Sequence, residues 1–392
     1  MKIIINVLCC IFIISIISGC SKKKDISSKE YYNIPHYNEK KDQGTSLTMF
    51  PILIDSTIES SGVGNFWIRE DSLYYSDLYS CIVYKIRTDG TIIDRQVGSG
   101  RGPNEVISAD YSIPFKNSYL LVSSSNSSMY TFSSKGQKIS DVIIDWKVSR
   151  AEASDIMQNP DPTSYPGYEL DFGIDGIVQP WDEKRIAVGL TAAINKFNGY
   201  FNSKLYYSHA RILAIINTES GKIEKIIGRR SPVYLQHTNI PNFDHFCFDV
   251  QKDKVFVNFW PDPNIYVIDK NKDKALYSFG TPGRNMNTKY PLTQTYEEAE
   301  MQRENDQQSF GHYHQLKFDL STGYLFRVYS RGGDSSTEGL QIYKDNVLLA
   351  DVDVPIGFKV IGNINHKFYA QIDDDTQEAP LKVYQFSFKL SK

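Results

Sequence analysis

The sequence predicts an all-β fold built from repeated four-stranded antiparallel sheets. Short stretches of alternating apolar and polar residues recur along the chain, and turn residues separate them. The chain contains 26 Tyr and 21 Phe, and aromatic residues favour strands. The repeating unit has up to four strands over roughly 40–50 residues, which is the period of a propeller blade. We therefore expect a six-bladed β-propeller.

Turn chemistry identifies the hairpins within the blades. The clearest hairpin joins 81–87 to 91–97 through Thr88-Asp89-Gly90, because Asp-Gly supplies the positive-φ position that a tight turn needs. Five units are expected, at 64–97, 108–145, 175–228, 244–279 and 312–352. Three further strands, 358–361, 368–372 and 381–390, form a sixth unit. An N-terminal strand over 47–54 could complete that last blade and close the ring, which would remove the exposed sheet edges.

Two segments interrupt the repeat. Residues 146–181 include Asn159-Pro160-Asp161-Pro162 and form an expected irregular insertion. A second insertion lies near 281–311, and its part 295–305 contains good helix formers with Thr293 or Thr295 as the cap. Long insertions in compact domains are often functional.

The N-terminus carries an export signal. Lys2 precedes an apolar run over 3–17, which is too short for a transmembrane helix. The run ends in Ile17-Ser18-Gly19-Cys20, which resembles a bacterial lipobox and implies a diacylglyceryl group on Cys20. We expect a signal peptide over 1–19, a flexible tether over 20–46 with lipidated Cys20, and the propeller over 47–392. A single lipid attachment would hold the protein to a membrane without spanning it.

Composition narrows the partners. The net charge is -3 and the sequence has no basic stripe, so nucleic acid is not an expected partner. Beyond residue 20 only Cys81 and Cys247 remain. They could pair in an oxidising compartment, but each lies in an apolar strand-like run, which favours two separate core residues.

One loop resembles a known family. Gln96-Val97-Gly98-Ser99-Gly100-Arg101-Gly102-Pro103-Asn104-Glu105 is similar to the loop after the first blade in TolB-like six-bladed propeller lipoproteins of Bacteroidetes. The resemblance covers essentially the whole mature chain and implies a fold and an envelope address without an activity. We expect attachment to the outer membrane, with its face left open. The expected partners are the membrane, through the lipid, and envelope proteins or glycans.

Candidate ligand residues come from the loops that lead into the innermost strands, because propeller ligands commonly bind where these loops converge. The loops span 98–106, 173–183, 229–245 and 280–314. The candidates are Arg101, Glu105, Trp181, Asp244, His245, His312 and His314. Arg101 and Glu105 could instead pair across a glycine-rich turn, and Trp181 could be a buried strand-end residue.

His312-Tyr313-His314 would place two imidazoles on one face of a strand, and Asp244 or His245 could be a third metal ligand. The pair lacks further ligands at fixed spacing, so the sequence predicts no metal and no cofactor.

The expected function is a non-catalytic binding or protein-interaction module, because the sequence lacks a G-x-S-x-G elbow, an H-E-x-x-H motif, a P-loop and a C-x-x-C pair. A carbohydrate-active hydrolase or lyase at the channel mouth is the alternative, with an acid pair drawn from Glu105, Asp175 and Asp244. A third interpretation is a structural envelope protein with an inert channel.

Overall fold

The computed structural model describes residues 25–41, 44–146, 150–171, 178–192, 194–200, 203–237, 239–373 and 380–390. The predicted signal peptide, Cys20 and Asp175 lie outside the described residues.

The protein is mostly β-structure, with six antiparallel blades arranged as a β-propeller. The helices are α1 (Ser28–Tyr31), α2 (Arg150–Gln158), α3 (Ser203–His209) and α4 (Tyr296–Ser309). Three strands lie outside the usual order, namely β1 (His36–Tyr37), β2 (Ser46–Leu53) and β11 (Glu169–Leu170).

The remaining strands form the blades in chain order. Blade 1 contains β3 (Gly64–Arg69), β4 (Ser72–Asp77), β5 (Ile82–Ile86) and β6 (Ile92–Val97). Blade 2 contains β7 (Tyr111–Phe115), β8 (Ser118–Ser123), β9 (Ser128–Phe132) and β10 (Lys138–Ile143). Blade 3 contains β12 (Val178–Pro180), β13 (Arg185–Thr191), β14 (Leu213–Asn217) and β15 (Ile223–Ile227).

Blade 4 contains β16 (Phe246–Val250), β17 (Lys254–Phe259), β18 (Ile265–Asp269) and β19 (Lys274–Phe279). Blade 5 contains β20 (His312–Asp319), β21 (Tyr324–Ser330), β22 (Glu338–Lys344) and β23 (Val347–Val354). Blade 6 contains β24 (Phe358–Ile364), β25 (Lys367–Ile372) and β26 (Lys382–Lys389). Its fourth and outermost strand is β2, which pairs antiparallel with β26 over its whole length.

The first strands of the blades form a ring around a central cavity. Each of β3, β7, β12, β16 and β20 contacts the next, and β24 contacts β3. All six line a cavity of about 210 Å³. The core contains aliphatic residues together with many buried Tyr and Phe side chains, and Cys81 and Cys247 are buried free thiols, as predicted.

The N-terminal segment differs from the flexible tether that its polar composition predicts. Ser28 is fully buried, and its hydroxyl donates to Tyr207 O (2.7 Å). Further along, β1 pairs in parallel with β19, and Lys41 N donates to Leu348 O (2.8 Å) on blade 5. Two apolar rings, Tyr31 and Tyr32, dock among buried residues, which explains why residues 25–41 are held to the blades.

The structure of the two insertions agrees in part with the prediction from the sequence. Helix α4 was expected over 295–305 and extends to Ser309, and the Thr295 hydroxyl accepts from Glu298 N as its cap (3.1 Å). The first insertion contains α2, a short 3-10 turn at Tyr165–Gly167 and β11. Helix α3 lies within blade 3, between β13 and β14, where the sequence analysis predicted no helix. Within the described residues, no helix is long and apolar enough to cross a membrane.

Candidate functional site

Chain direction decides which loops share a face of the propeller. Strands alternate in direction within a blade, so the connection into the first strand and the connection between the second and third strands lie at the same end. We call this end the mouth face. The long connections with α2, α3 and α4 all belong to it.

Five side chains meet on the mouth face at the junction of blades 4 and 5, and we call them the mouth cluster. They are His245, Trp260, His312, His314 and Glu338. Trp260 follows β17. Its backbone N–H donates to His245 O (2.9 Å), and the backbone N–H of Tyr313 donates to Trp260 O (3.0 Å). These backbone bonds place the indole between the two blades.

The rings of the mouth cluster lie side by side. The Trp260 centroid is 4.5 Å from His245 and 4.2 Å from His312, which stacks on it at 22°. The His312 and His314 centroids are 5.9 Å apart. His314 is the extra residue of a β-bulge in β20, and its Nε2 lies 3.2 Å from Glu338 Oε1. Because His314 also lines the central cavity, the mouth cluster adjoins the channel.

Burial determines the charge state of two of these rings. Burial, followed by the charge of Arg230, lowers the pKa of His245 to about 3. Burial, followed by the neighbouring His314, lowers the pKa of His312 to about 4. Both imidazoles are therefore neutral at pH 7, and each offers one donor and one acceptor.

Three polar atoms of the mouth cluster are buried and have no hydrogen-bond partner among the residues that the structure describes. They are His245 Nδ1, Trp260 Nε1 and Glu338 Oε2. Buried polar atoms are nearly always satisfied, so each such exception calls for an explanation. One indole donor, one carboxylate acceptor and one imidazole nitrogen left unpaired in a cluster of flat rings are groups that can bind a polar ligand with an apolar face.

A buried ion pair lies next to the mouth cluster. Arg230 is fully buried, its Nη1 lies 3.1 Å from Asp244 Oδ1, and its Nη2 donates to Leu190 O (2.8 Å) and Tyr206 Oη (2.6 Å). Burial raises the pKa of Asp244 to about 6, against the opposing charge of Arg230. Arg230 therefore stays charged, while Asp244 takes up a proton close to neutral pH.

The glycine-rich loop supports blade packing. Glu105 Oε2 accepts from Gly102 N (2.7 Å) and covers Gly100, where an added Cβ would lie 2.0 Å from that oxygen. Lys138 of β10 donates from Nζ to Glu105 O (2.8 Å). The loop thus packs on the outermost strand of blade 2, and Arg101 is exposed there, so neither Arg101 nor Glu105 joins the mouth cluster.

Trp181 also lies apart from the mouth cluster. It belongs to the turn between β12 and β13, which is at the opposite end of the blade from the mouth face. Its ring is 2% exposed, with Lys270 Nζ 4.8 Å and Lys225 Nζ 5.1 Å from its centroid. The structure therefore corrects its expected position at the mouth, because the strand begins at Val178 and reverses direction after Trp181.

The sequence-predicted residues that do meet are Asp244, His245, His312 and His314. In the described part of the chain, no three His, Cys, Asp or Glu side chains are arranged as metal ligands. The Trp260 ring contacts both His245 and His312.

Trp260, Tyr206 and Glu338 were not among the predicted site residues. Trp260 and Tyr206 lie in connections between a second and a third strand, and Glu338 is the first residue of a third strand, whereas the predicted site residues come from loops predicted to lead into first strands. The alternation of strand direction within a predicted blade was the signal that could have identified them.

The fold and the mouth cluster define the class of protein, a six-bladed β-propeller with a polar and aromatic mouth. Two solved structures from Bacteroides resemble it. A member of the DUF4221 family from Bacteroides vulgatus has a TM-score of 0.66 at 12% identity, over 90% of this chain and 100% of that chain. A protein of Bacteroides fragilis that is thought to be exported has a TM-score of 0.53 at 13% identity, over 91% of this chain and 99% of that chain.

At these identities the likeness concerns the fold alone. No protein-family model matches the sequence, and no curated protein does.

Proposed function

We propose that the protein is a lipid-anchored binding module of the cell envelope that holds a glycan or a peptide at the mouth cluster. The observation that carries this proposal is that three buried polar atoms of the mouth cluster, Trp260 Nε1, His245 Nδ1 and Glu338 Oε2, have no hydrogen-bond partner among the described residues, beside partly exposed imidazole rings. A ligand hydroxyl or amide could satisfy these atoms while its apolar face covers the partly exposed imidazoles of His245 and His312.

Anchoring is supported by the sequence Ile17-Ser18-Gly19-Cys20 and by the apolar run before it. The similar Bacteroides fragilis protein is thought to be exported, which agrees with an envelope address. We propose the outer membrane as the site of attachment.

The test is a titration of the detergent-extracted full chain with a panel of envelope oligosaccharides and short peptides. Binding is measured by the change in tryptophan fluorescence. Trp260→Phe keeps an aromatic ring and removes the indole N–H, so we expect about tenfold weaker binding, as for one lost hydrogen bond. Trp181→Phe is the matched control, because Trp181 lies at the other end of its blade, and it should bind as the native protein does. Ligands that bind Trp260→Phe as tightly as they bind Trp181→Phe would contradict the proposed site.

Asp244 supports a second candidate, a carbohydrate-active enzyme. A carboxyl group with a pKa of about 6 can exchange a proton near neutral pH, as a general acid must. If the panel contains a substrate, Asp244→Asn should lower turnover by about 10²-fold or more while binding persists. Product formation by the native chain would decide for the enzyme, and binding without products decides for the module.

A further inference from the structure

We propose that the propeller rests on the membrane by one edge, formed by α1 and α3 at the junction of blades 3 and 4. The inference rests on the proposed lipid at Cys20 and adds an orientation to it. It follows from where the chain becomes attached to the blades, a few residues after that cysteine.

The attachment begins at Asp25. Its Oδ1 accepts from Arg211 Nη2 (2.7 Å) and Arg229 Nη2 (2.8 Å), and its Oδ2 lies 3.0 Å from His209 Nδ1. Both arginine side chains are more than nine-tenths buried, because 7% of Arg211 and 6% of Arg229 are exposed. A carboxylate held by two buried guanidinium groups is a firm attachment, because removing it would take the acidic partner from Arg211 and leave Arg229 with only the more distant Asp273 (3.8 Å).

The residues that follow Asp25 extend the attachment. Ile26 O accepts from Arg229 Nε (3.3 Å), and the fully buried Ser28 is bonded to Tyr207 O next to α3. Tyr31 Oη donates to Asp273 Oδ1 (2.9 Å), and Tyr32 Oη donates to Arg229 O (2.7 Å). Blade 3 and blade 4 therefore both hold this segment.

The distance from the lipid to this attachment is limited by covalent geometry. Five Cα–Cα steps separate Cys20 from Asp25, which span at most about 18 Å. A domain of this length has a radius of gyration of about 21 Å. The α1–α3 edge is therefore held close to the headgroups, and the diametrically opposite edge, at the junction of blades 6 and 1, is the part that can lie farthest from them.

The chemistry of the edge suits a bilayer surface. Lys29 of α1 and Lys204 of α3 are exposed, and Leu205 is 42% exposed, with Glu30 as the exposed acid of α1. Lys22, Lys23 and Lys24 add three positive charges between the lipid and the attachment. Cationic side chains beside an apolar one favour contact with anionic headgroups.

The test uses the full chain, produced in a bacterium that processes lipoproteins and reconstituted in phosphatidylethanolamine–phosphatidylglycerol vesicles that contain a nitroxide-labelled lipid. A fluorophore is placed on Lys29→Cys or on Ser56→Cys, an exposed site after β2 at the junction of blades 6 and 1. Labelling is specific because Cys81 and Cys247 are each 3% exposed. Quenching should be several-fold stronger at position 29 than at position 56.

A third variant inserts about 20 Gly and Ser residues between Lys24 and Asp25, which adds a coil of about 25 Å root-mean-square length. The insertion should reduce the difference in quenching between the two sites. Equal quenching in a chain whose mass includes the lipid would overturn the orientation and leave the anchor intact. A mass without the lipid would overturn both the proposed anchor and the orientation.

Discussion

His312 shows how burial tunes a single side chain at the mouth. Its pKa of about 4 lies below that of an exposed histidine, so the unfolded chain binds this proton more readily than the folded chain does. The stabilising contribution is complete above pH 6.5 and is lost as the pH falls through about 4. Between pH 7 and pH 5 the native protein should lose about 2 kcal/mol of unfolding free energy through this residue.

His312→Asn should remove this part of the pH dependence. The measurement is urea denaturation at pH 7 and pH 5, compared with the native chain. His366→Asn is the matched control, because His366 is an exposed turn residue with φ 67°, which Asn tolerates. An unchanged pH dependence in His312→Asn would contradict a neutral, buried imidazole.

Arg230 and Asp244 make a second prediction at this scale. Arg230→Met would leave the Asp244 carboxylate buried without a counter-charge, so we expect a loss of about 3–5 kcal/mol at pH 7. The double variant Arg230→Met, Asp244→Asn removes both charges and should recover at least half of that loss. Chemical denaturation measures the free energy of unfolding of the single and the double variant. A double variant as unstable as the single one would show that the bonds of Arg230 to Leu190 O and Tyr206 Oη dominate.

At the scale of elements, the N-terminal segment is part of the propeller. Tyr32 is 7% exposed and its ring lies 4.1 Å from that of Tyr266, whereas Tyr37 is 50% exposed. Tyr32→Ala should therefore cost about 3–5 kcal/mol, and Tyr37→Ala about 0.5 kcal/mol or less. Thermal and urea unfolding of the two variants provide the comparison. Small losses of stability of equal size in the two variants would contradict a docked segment and support a flexible tether.

The elements differ in how far the sequence predicts them. Helix α4 is predictable because Thr295 and a run of helix formers are local signals. Helix α3 has seven residues, and two of them, Tyr206 and Tyr207, are buried aromatics, so its conformation depends on tertiary contacts. The docking of Asp25 depends on Arg211 and Arg229, which are distant in sequence, and no local pattern in a polar segment indicates such partners.

At the scale of the whole molecule, repetition made the fold predictable. Strands of alternating apolar and polar residues, separated by turns such as Asp89-Gly90, indicate blades, and the number of such repeats indicates six of them. The mouth cluster could be predicted only in part. His312 and His314 are two residues apart in sequence, but Trp260 reaches His312 from blade 4 and Glu338 reaches His314 from another strand of blade 5, and no local spacing encodes these contacts.

The most direct test of the proposed site is a crystal structure of the protein with the strongest hit from the panel. The proposal predicts that the ligand lies at the mouth cluster, with a hydrogen bond to Trp260 Nε1 or Glu338 Oε2, and that Glu338→Gln weakens its binding by about tenfold. A ligand bound at the Trp181 end of the propeller, or on the outer strands of the blades, would contradict the proposed site.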